Sequence, residues 1–338
     1  MLKRGIVFVL VIGIFLGFAI GKGTDEKADG KKLTLNLGTQ ISETSPEGIA
    51  AQFFADEVYK KSGGMIEVVV FPSEQLGAAA VMLESVMLGN LDLALVAGQF
   101  MGSYEPTMSM VNVPYLFNSP QAYRDVLKNT GLIEKQHVAF HKAGFSIVNT
   151  ERNFFRGNRL IASKKPIRSA DDLKGLRFRA FENDVYVNSY ARLGTTPMVI
   201  PWGETFAALQ QKIVEASCCS IDQLYGIGFA QVCPYMTWTK EYYAEVVLVA
   251  NNGLWDRLSS DQQAILRDAA NAAGDVMAVE VEKATATDVD RVIREYGATF
   301  FEMDTTPLRN ILIPYYYELE KKGVIPVGVV DSVLSATK

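Results

Sequence analysis

The sequence predicts an α/β protein of two lobes with a long helix in its C-terminal third. Three observations carry this. Short β-branched runs alternate with helical segments, the alternation restarts halfway along the chain, and about 310 residues remain after the N-terminal segment, more than one core organises.

The first set of elements starts at Leu33. Strand candidates at Leu33 to Leu37, Ile66 to Phe71 and Leu91 to Val96 alternate with helical patterns at Pro46 to Lys61 and Ala78 to Leu88. Ile49, Phe53 and Val58 keep helical spacing, whereas the run from Ile66 is short and β-branched. The βαβαβ order predicts a largely parallel sheet. A second set has strands at Leu176 to Ala180, Thr196 to Ile200 and Ala216 to Ile221, with helices from Asp184 to Leu193 and Gly203 to Lys212. The last third changes character. Ser260 and Gln263 have the spacing of a capping box, in which each side chain satisfies a free backbone donor of the other. Ile265, Ala269, Ala272, Val276 and Val279 then continue one helical face toward Val289, Val292, Ile293 and Tyr296, long enough to span both lobes.

Ahead of the fold, Lys3 and Arg4 precede an uncharged run from Gly5 to Ile20, with small residues around Ala19 and Gly21. This is the pattern of a signal peptide over 1–21, and an uncleaved N-terminal anchor stays open. Polar residues 22–32 suit a tether. Residues 33–156 plus 245–284 are assigned to lobe I, and 157–244 plus 285–330 to lobe II. Export to the periplasm is expected, with inner-membrane tethering open. The net charge of −5 and the lack of a Lys/Arg block argue against nucleic acid as a partner.

Motifs for chemistry are scarce. His137 and His141 are spaced i to i+4, but no glutamate follows the first and no third ligand is evident, so a surface or packing role is expected and no metal is assigned. Cys218, Cys219 and Cys233 match no zinc spacing. A bridge from Cys233 to either neighbour and three inert buried thiols are both compatible with export. There is no G-x-S-x-G, Walker loop or G-x-G-x-x-G, so neither a catalytic residue nor a cofactor is assigned.

One segment stands out, Lys165-Pro-Ile-Arg-Ser-Ala-Asp-Asp-Leu-Lys-Gly-Leu-Arg-Phe-Arg179. Ser169 caps a short helix, Gly175 ends it, and a strand follows in which Arg177 and Arg179 share one face. By residue chemistry alone two readings stand: an ordinary surface arginine, or a planar fork at the carboxyl end of a parallel strand, facing the crevice and matched to a carboxylate.

With Phe71-Pro-Ser-Glu-Gln-Leu-Gly77, Val113-Pro-Tyr-Leu-Phe117, Ala208-Leu-Gln210 followed by Val214-Glu-Ala216, and Leu254-Trp-Asp-Arg-Leu258, this segment resembles the solute-binding proteins of tripartite ATP-independent periplasmic (TRAP) transporters, the C4-dicarboxylate-binding family. The five blocks occur in family order from Leu33 to Tyr317. The resemblance implies a two-lobe periplasmic binding protein, a type II-like Venus flytrap with a long helix spanning both lobes. Such a protein closes on a small organic acid and docks on TRAP membrane permease subunits, with an additional periplasmic protein left open as a partner. It implies that Arg179 clamps the ligand carboxylate and that Arg159 is a second pocket arginine, Arg156 lying three residues away. It also implies that Trp202 packs over the ligand and that Gln40 is a polar contact.

Two departures bear on the ligand. Relatives place an asparagine after the A-L-Q helix where this chain has Ser220, and the loop Val96-Ala97-Gly98-Gln99 lacks the acidic residue of sialic acid binders. A hydroxyl cannot present the paired donor and acceptor of an amide. The expectation is therefore a monocarboxylate with an apolar remainder, held by Arg179, Arg159, Trp202, Ser220 and Gln40. The competing readings are a ligand-free interaction module on the same fold and an exported enzyme using the cysteine cluster or a carboxylate in the cleft.

Overall fold

The computed structural model describes residues 32–336. The expected signal or anchor over 1–21, and the tether up to residue 31, lie outside the described residues. The chain runs β1 (Leu33–Thr39), α1 (Pro46–Lys61), β2 (Ile66–Phe71), α2 (Ala79–Leu88) and β3 (Leu93–Ala97). It continues through α3 (Pro120–Asn129), α4 (Leu132–Ala143), β4 (Phe145–Ile147) and β5 (Arg159–Ser163). Next come β6 (Arg177–Ala180), α5 (Asp184–Arg192), β7 (Thr196–Val199), α6 (Thr205–Gln210), β8 (Ala216–Ser220) and α7 (Ile221–Ile227). The last part is β9 (Tyr235–Trp238), β10 (Val246–Asn251), α8 (Asn252–Trp255), α9 (Ser260–Tyr296), β11 (Thr299–Glu302), α10 (Thr306–Lys321) and α11 (Val329–Ser335).

The strands form two sheets, ordered β2-β1-β3-β10-β4 and β11-β9-β5-β8-β6-β7. Both are mixed rather than largely parallel. β1 pairs in parallel with β2 and β3, as βαβ crossovers dictate, but β10 enters from the other sheet and runs antiparallel to β3 and β4. In the second sheet β6 is parallel to β7 and β8, while β5 runs antiparallel to β8 and β9. Extended segments cross between the sheets from β4 to β5 and from β9 to β10, bringing β5 and β10 in against the direction of their neighbours, and α9 makes a third crossing to β11.

The two extended crossings lie side by side. Phe155 bridges Glu245, Val246 N donates to Phe154 O at 3.0 Å, and Arg156 N donates to Ala244 O at 3.0 Å. A buried ion pair pins them: Arg152 donates to Glu245 through Nε at 2.6 Å and Nη2 at 2.8 Å, and its Nη1 reaches Gln136 Oε1 at 2.7 Å.

α9 is one uninterrupted helix of 37 residues, roughly 55 Å long, and packs on both α1 and α7. Its capping box is Ser259 with Gln262, one residue earlier than expected. The sequence offers both S-x-x-Q frames, and the earlier one frees Gln263 to donate to Trp255 O at 2.9 Å. The buried stripe also differs from expectation: Leu266, Ala269, Ala270, Ala273, Gly274 and Met277 face inward, while Val279 and Ile293 are exposed. Small residues win because the crossover comes close. A Cβ on Gly274 would lie 2.2 Å from Asn153 Oδ1, and Asn153 Nδ2 donates to Asn271 O and Asp275 Oδ1 at 2.8 and 3.0 Å.

Leu35, Phe54, Val58, Leu95 and Leu248 form a core between the first sheet and helices α1 and α9. Phe178, Tyr186, Tyr190, Leu312 and Tyr316 form another beside the second sheet, and residues Met110 to Leu132, expected with lobe I, pack into it.

Candidate ligand-binding site

A cavity of about 30 Å³ lies in the cleft between the sheets, walled by Gln40, Ile41, Gln99, Phe100, Arg156, Arg159, Arg179, Phe181, Trp202 and Gln223. The parallel strands bring most of these together at their carboxyl ends. Gln40 follows β1, Gln99 follows β3, Phe181 follows β6, and Trp202 opens a short turn after β7.

Arg179 is the most informative wall residue. It is 5 % exposed, its Nε donates to Ile200 O at 2.8 Å, and its guanidinium lies 5.4 Å from the centroid of the Trp202 ring. These contacts aim the fork without neutralising it, and among the described residues no carboxylate pairs with it. Burial, with repulsion from Arg159 added, pushes its pKa down to about 10, so it stays charged at neutral pH. Arg177, two residues earlier, is exposed and pairs with Glu215 at 3.5 Å.

The other two arginines are committed elsewhere. Arg156 donates to Glu47 Oε2 through Nε and Nη2 at 2.8 and 2.7 Å. Arg159 donates through Nε to Cys218 Sγ at 3.0 Å, lies 3.9 Å from Glu241 Oε1, and stacks 4.5 Å from the Tyr242 ring. Glu241 in turn accepts from Cys218, Tyr186, Tyr190 and Thr239. Arg156 faces Glu47, with the buried Asp222 also close enough to couple to it, and Arg159 faces Glu241, so Arg179 is the cavity guanidinium with no carboxylate partner among the described residues.

Ser220 does not line the cavity. Fully buried at the end of β8, its hydroxyl donates to Gln223 Oε1 at 2.8 Å, and Gln223 reaches the wall from the first turn of α7. The amide that Ser220 itself lacks is supplied three residues downstream, which removes the premise for a ligand short of polar contacts. Gln40 is committed within its own region, donating to Glu74 and accepting from Ala97 N, both at 3.4 Å. Trp202 also packs against Phe229 at 5.6 Å. Gln223 and Gln99 are the polar wall residues that sequence reasoning left without a role. The one available signal was the Ser220–Gln223 spacing, which places both on one helical turn.

The remaining chemistry-bearing residues are passive. All three cysteines are free and buried, and burial pushes Cys219 up to about 12 and Cys233 to about 11, so the thiols stay protonated. His137 and His141 line a surface groove with Asp256, 3.6 Å from His141.

Residues 37–322 match the family of bacterial extracellular solute-binding proteins, family 7, DctP. The chain belongs to this family. A solute-binding protein of Verminephrobacter eiseniae is 30% identical over 86% of this chain and 85% of its own length. The ectoine/5-hydroxyectoine-binding periplasmic protein UehA of Ruegeria pomeroyi is 26% identical over 97% of this chain and 94% of its own. A TRAP periplasmic solute-binding protein from Polaromonas sp. JS666, crystallised with D-erythronate, superposes with a TM-score of 0.81 at 26% identity, covering 89% of this chain and 98% of that one. DctP proteins are receptors for solutes rather than enzymes, and their two-lobe α/β fold is the fold found here.

Proposed function

We propose that this DctP protein captures a small monoanionic organic acid outside the cytoplasmic membrane and delivers it to the permease of a TRAP transporter. The observation that carries the reading is Arg179, a buried, aimed and unpaired guanidinium in the cleft. Leaving such a charge without a partner costs several kcal/mol, and a carboxylate in the cleft removes that cost. The single guanidinium without a carboxylate partner among the described residues offers one fork, which suits one carboxylate. Ile41, Phe100, Phe181 and Trp202 supply apolar walls, and Gln99 and Gln223 supply amides, so the ligand is amphipathic. The Polaromonas relative binds a monocarboxylate, D-erythronate, which agrees with this ligand class. The signal-peptide pattern over 1–21 supports export, and the bodies proposed to close on the ligand are lobe I and lobe II, with residues 110–132 counted with lobe II, whose core they join.

Native mass spectrometry of the purified chain, followed by denaturation and identification of what is released, tests this reading. A carboxylic acid released from the wild type and absent from Arg179→Ala is the expected result. Release of the same acid from both proteins would refute the role of Arg179.

A further inference from the structure

We propose that the protein carries a second site, for an organic cation: a protonated amine or amidine held by Asp288 of α9 together with Asp222 of α7. The inference goes beyond the carboxylate reading of the inner cavity and does not depend on it. Past Gln40, Ile41, Trp202 and Gln223 the inner cavity opens into an outer one of about 690 Å³, which those four residues also line. That volume is within the range of small-molecule sites.

Asp288 is the observation that carries the proposal. It lines the outer cavity yet is 8 % exposed, and among the described residues its carboxylate has no hydrogen bond and no ion pair. The cations around it are spent elsewhere. Lys283 Nζ meets Glu280 Oε1 at 2.6 Å, and the Arg291 guanidinium lies 3.4 Å from the centroid of the Tyr225 ring, with Glu295 at 3.9 Å. Asp222, 6 % exposed, lines the same cavity from α7. Its Oδ1 accepts from Gly157 N at 2.8 Å, and it is close enough to Asp288 for the two carboxylates to repel. Arg156 also acts on Asp222, but its donated hydrogen bonds go to Glu47. Two buried carboxylates with no cation between them lose hydration and repel at once. A cation that reaches both relieves the two costs together.

The lining favours an organic cation over a metal ion. Among the described residues no group of three or more His, Cys, Asp or Glu side chains is placed to hold a metal, and calcium takes six or more oxygen ligands. An ammonium has three hydrogens to place, which two carboxylates accept. Ile41, Pro46, Ile49 and Ile227 give its hydrocarbon an apolar wall.

The test is titration calorimetry of the full chain, stripped of ligand, with butylammonium, 5-aminopentanoate, sodium and calcium, all at matched ionic strength. Butylammonium is expected to bind saturably, with Asp288→Asn weakening it about tenfold or more and Asp222→Asn weakening it less. Two sources of the cation separate on the same measurement. Equal affinity for butylammonium and 5-aminopentanoate, with neither moved by Arg179→Ala, supports the site as one for a separate cationic solute. Tighter binding of 5-aminopentanoate, falling to the butylammonium level in Arg179→Ala, supports it as the seat of the far end of the molecule whose carboxylate Arg179 takes. Should Asp288→Asn fail to fold, Asp222→Asn decides. Absence of saturable binding by both amines, or amine affinities unmoved by the two aspartate substitutions, overturns the proposal. Sodium or calcium binding that Asp288→Asn removes, with neither amine bound, overturns the organic class.

Discussion

Arg152 and Arg179 are both buried, one at 1 % exposure and the other at 5 %, and both are held in place by hydrogen bonds. Arg152 meets Glu245 through two nitrogens and Gln136 through a third, so its charge is spent inside the fold. Among the described residues Arg179 meets a backbone carbonyl and an aromatic face but no carboxylate, so its charge is left for something that arrives. The same residue type thus fastens the interlobe crossing in one place and awaits an anion in the other. Burial alone does not separate the roles; the partner does.

The comparison breaks first at Arg152. Arg152→Met strands the Glu245 carboxylate in the core and is expected to lower stability by roughly 3–5 kcal/mol, read from urea unfolding. Arg179→Met is expected to leave ligand-free stability unchanged or raised. Binding inverts the ranking. Arg179→Ala should weaken the acid by about thirtyfold or more, following the roughly 2–5 kcal/mol for truncating one side of a buried charge pair, and Arg179→Lys recovers only part because it loses the fork. Titration calorimetry of both variants measures this.

Beside the crossing that Arg152 fastens, Gly274→Ala drives a methyl into Asn153 and should cost about 1–3 kcal/mol by the same unfolding measurement, with little change in affinity if the lobes still meet.

The smallest effect concerns Asp288 in the outer cavity, where burial, reinforced by Asp222 and opposed by Arg291, pushes the carboxyl up to about 6. The folded state then binds more protons than the unfolded chain between its ordinary range near 4 and about 6, so this group adds stability as pH falls through that window. Asp288→Asn is therefore expected to melt above the wild type at pH 7, with the advantage shrinking toward pH 4. A constant gap across that range would refute the assignment.

The same contrast explains what is legible in the sequence. Arg179 can be found there because its strand, turn and cap are local: Ser169 caps the turn with Asp172, Gly175 adopts a φ of +71°, and β6 follows. The choice between Arg156 and Arg159 is not legible, because it depends on Glu47 and Glu241, at remote positions in the chain. Gln223 escapes notice because its role depends on a helix beginning as β8 ends, which turns the side chain three residues after Ser220 into the cleft. The buried face of α9 departs from expectation for a related reason. Helical periodicity permits several stripes, and the approach of Asn153 selects the one carrying Gly274. The mixed sheets likewise follow from crossings that no local pattern encodes.

The most direct test is the melting temperature of ligand-stripped wild type and Arg179→Met, each with and without the acid identified by mass spectrometry. The account predicts that the acid raises the wild-type melting temperature by mass action, while Arg179→Met starts at or above the wild type and does not respond. A ligand-free Arg179→Met that melts well below the wild type yet is still stabilised by the acid would contradict it, because Arg179 would then be fastening the fold as Arg152 does.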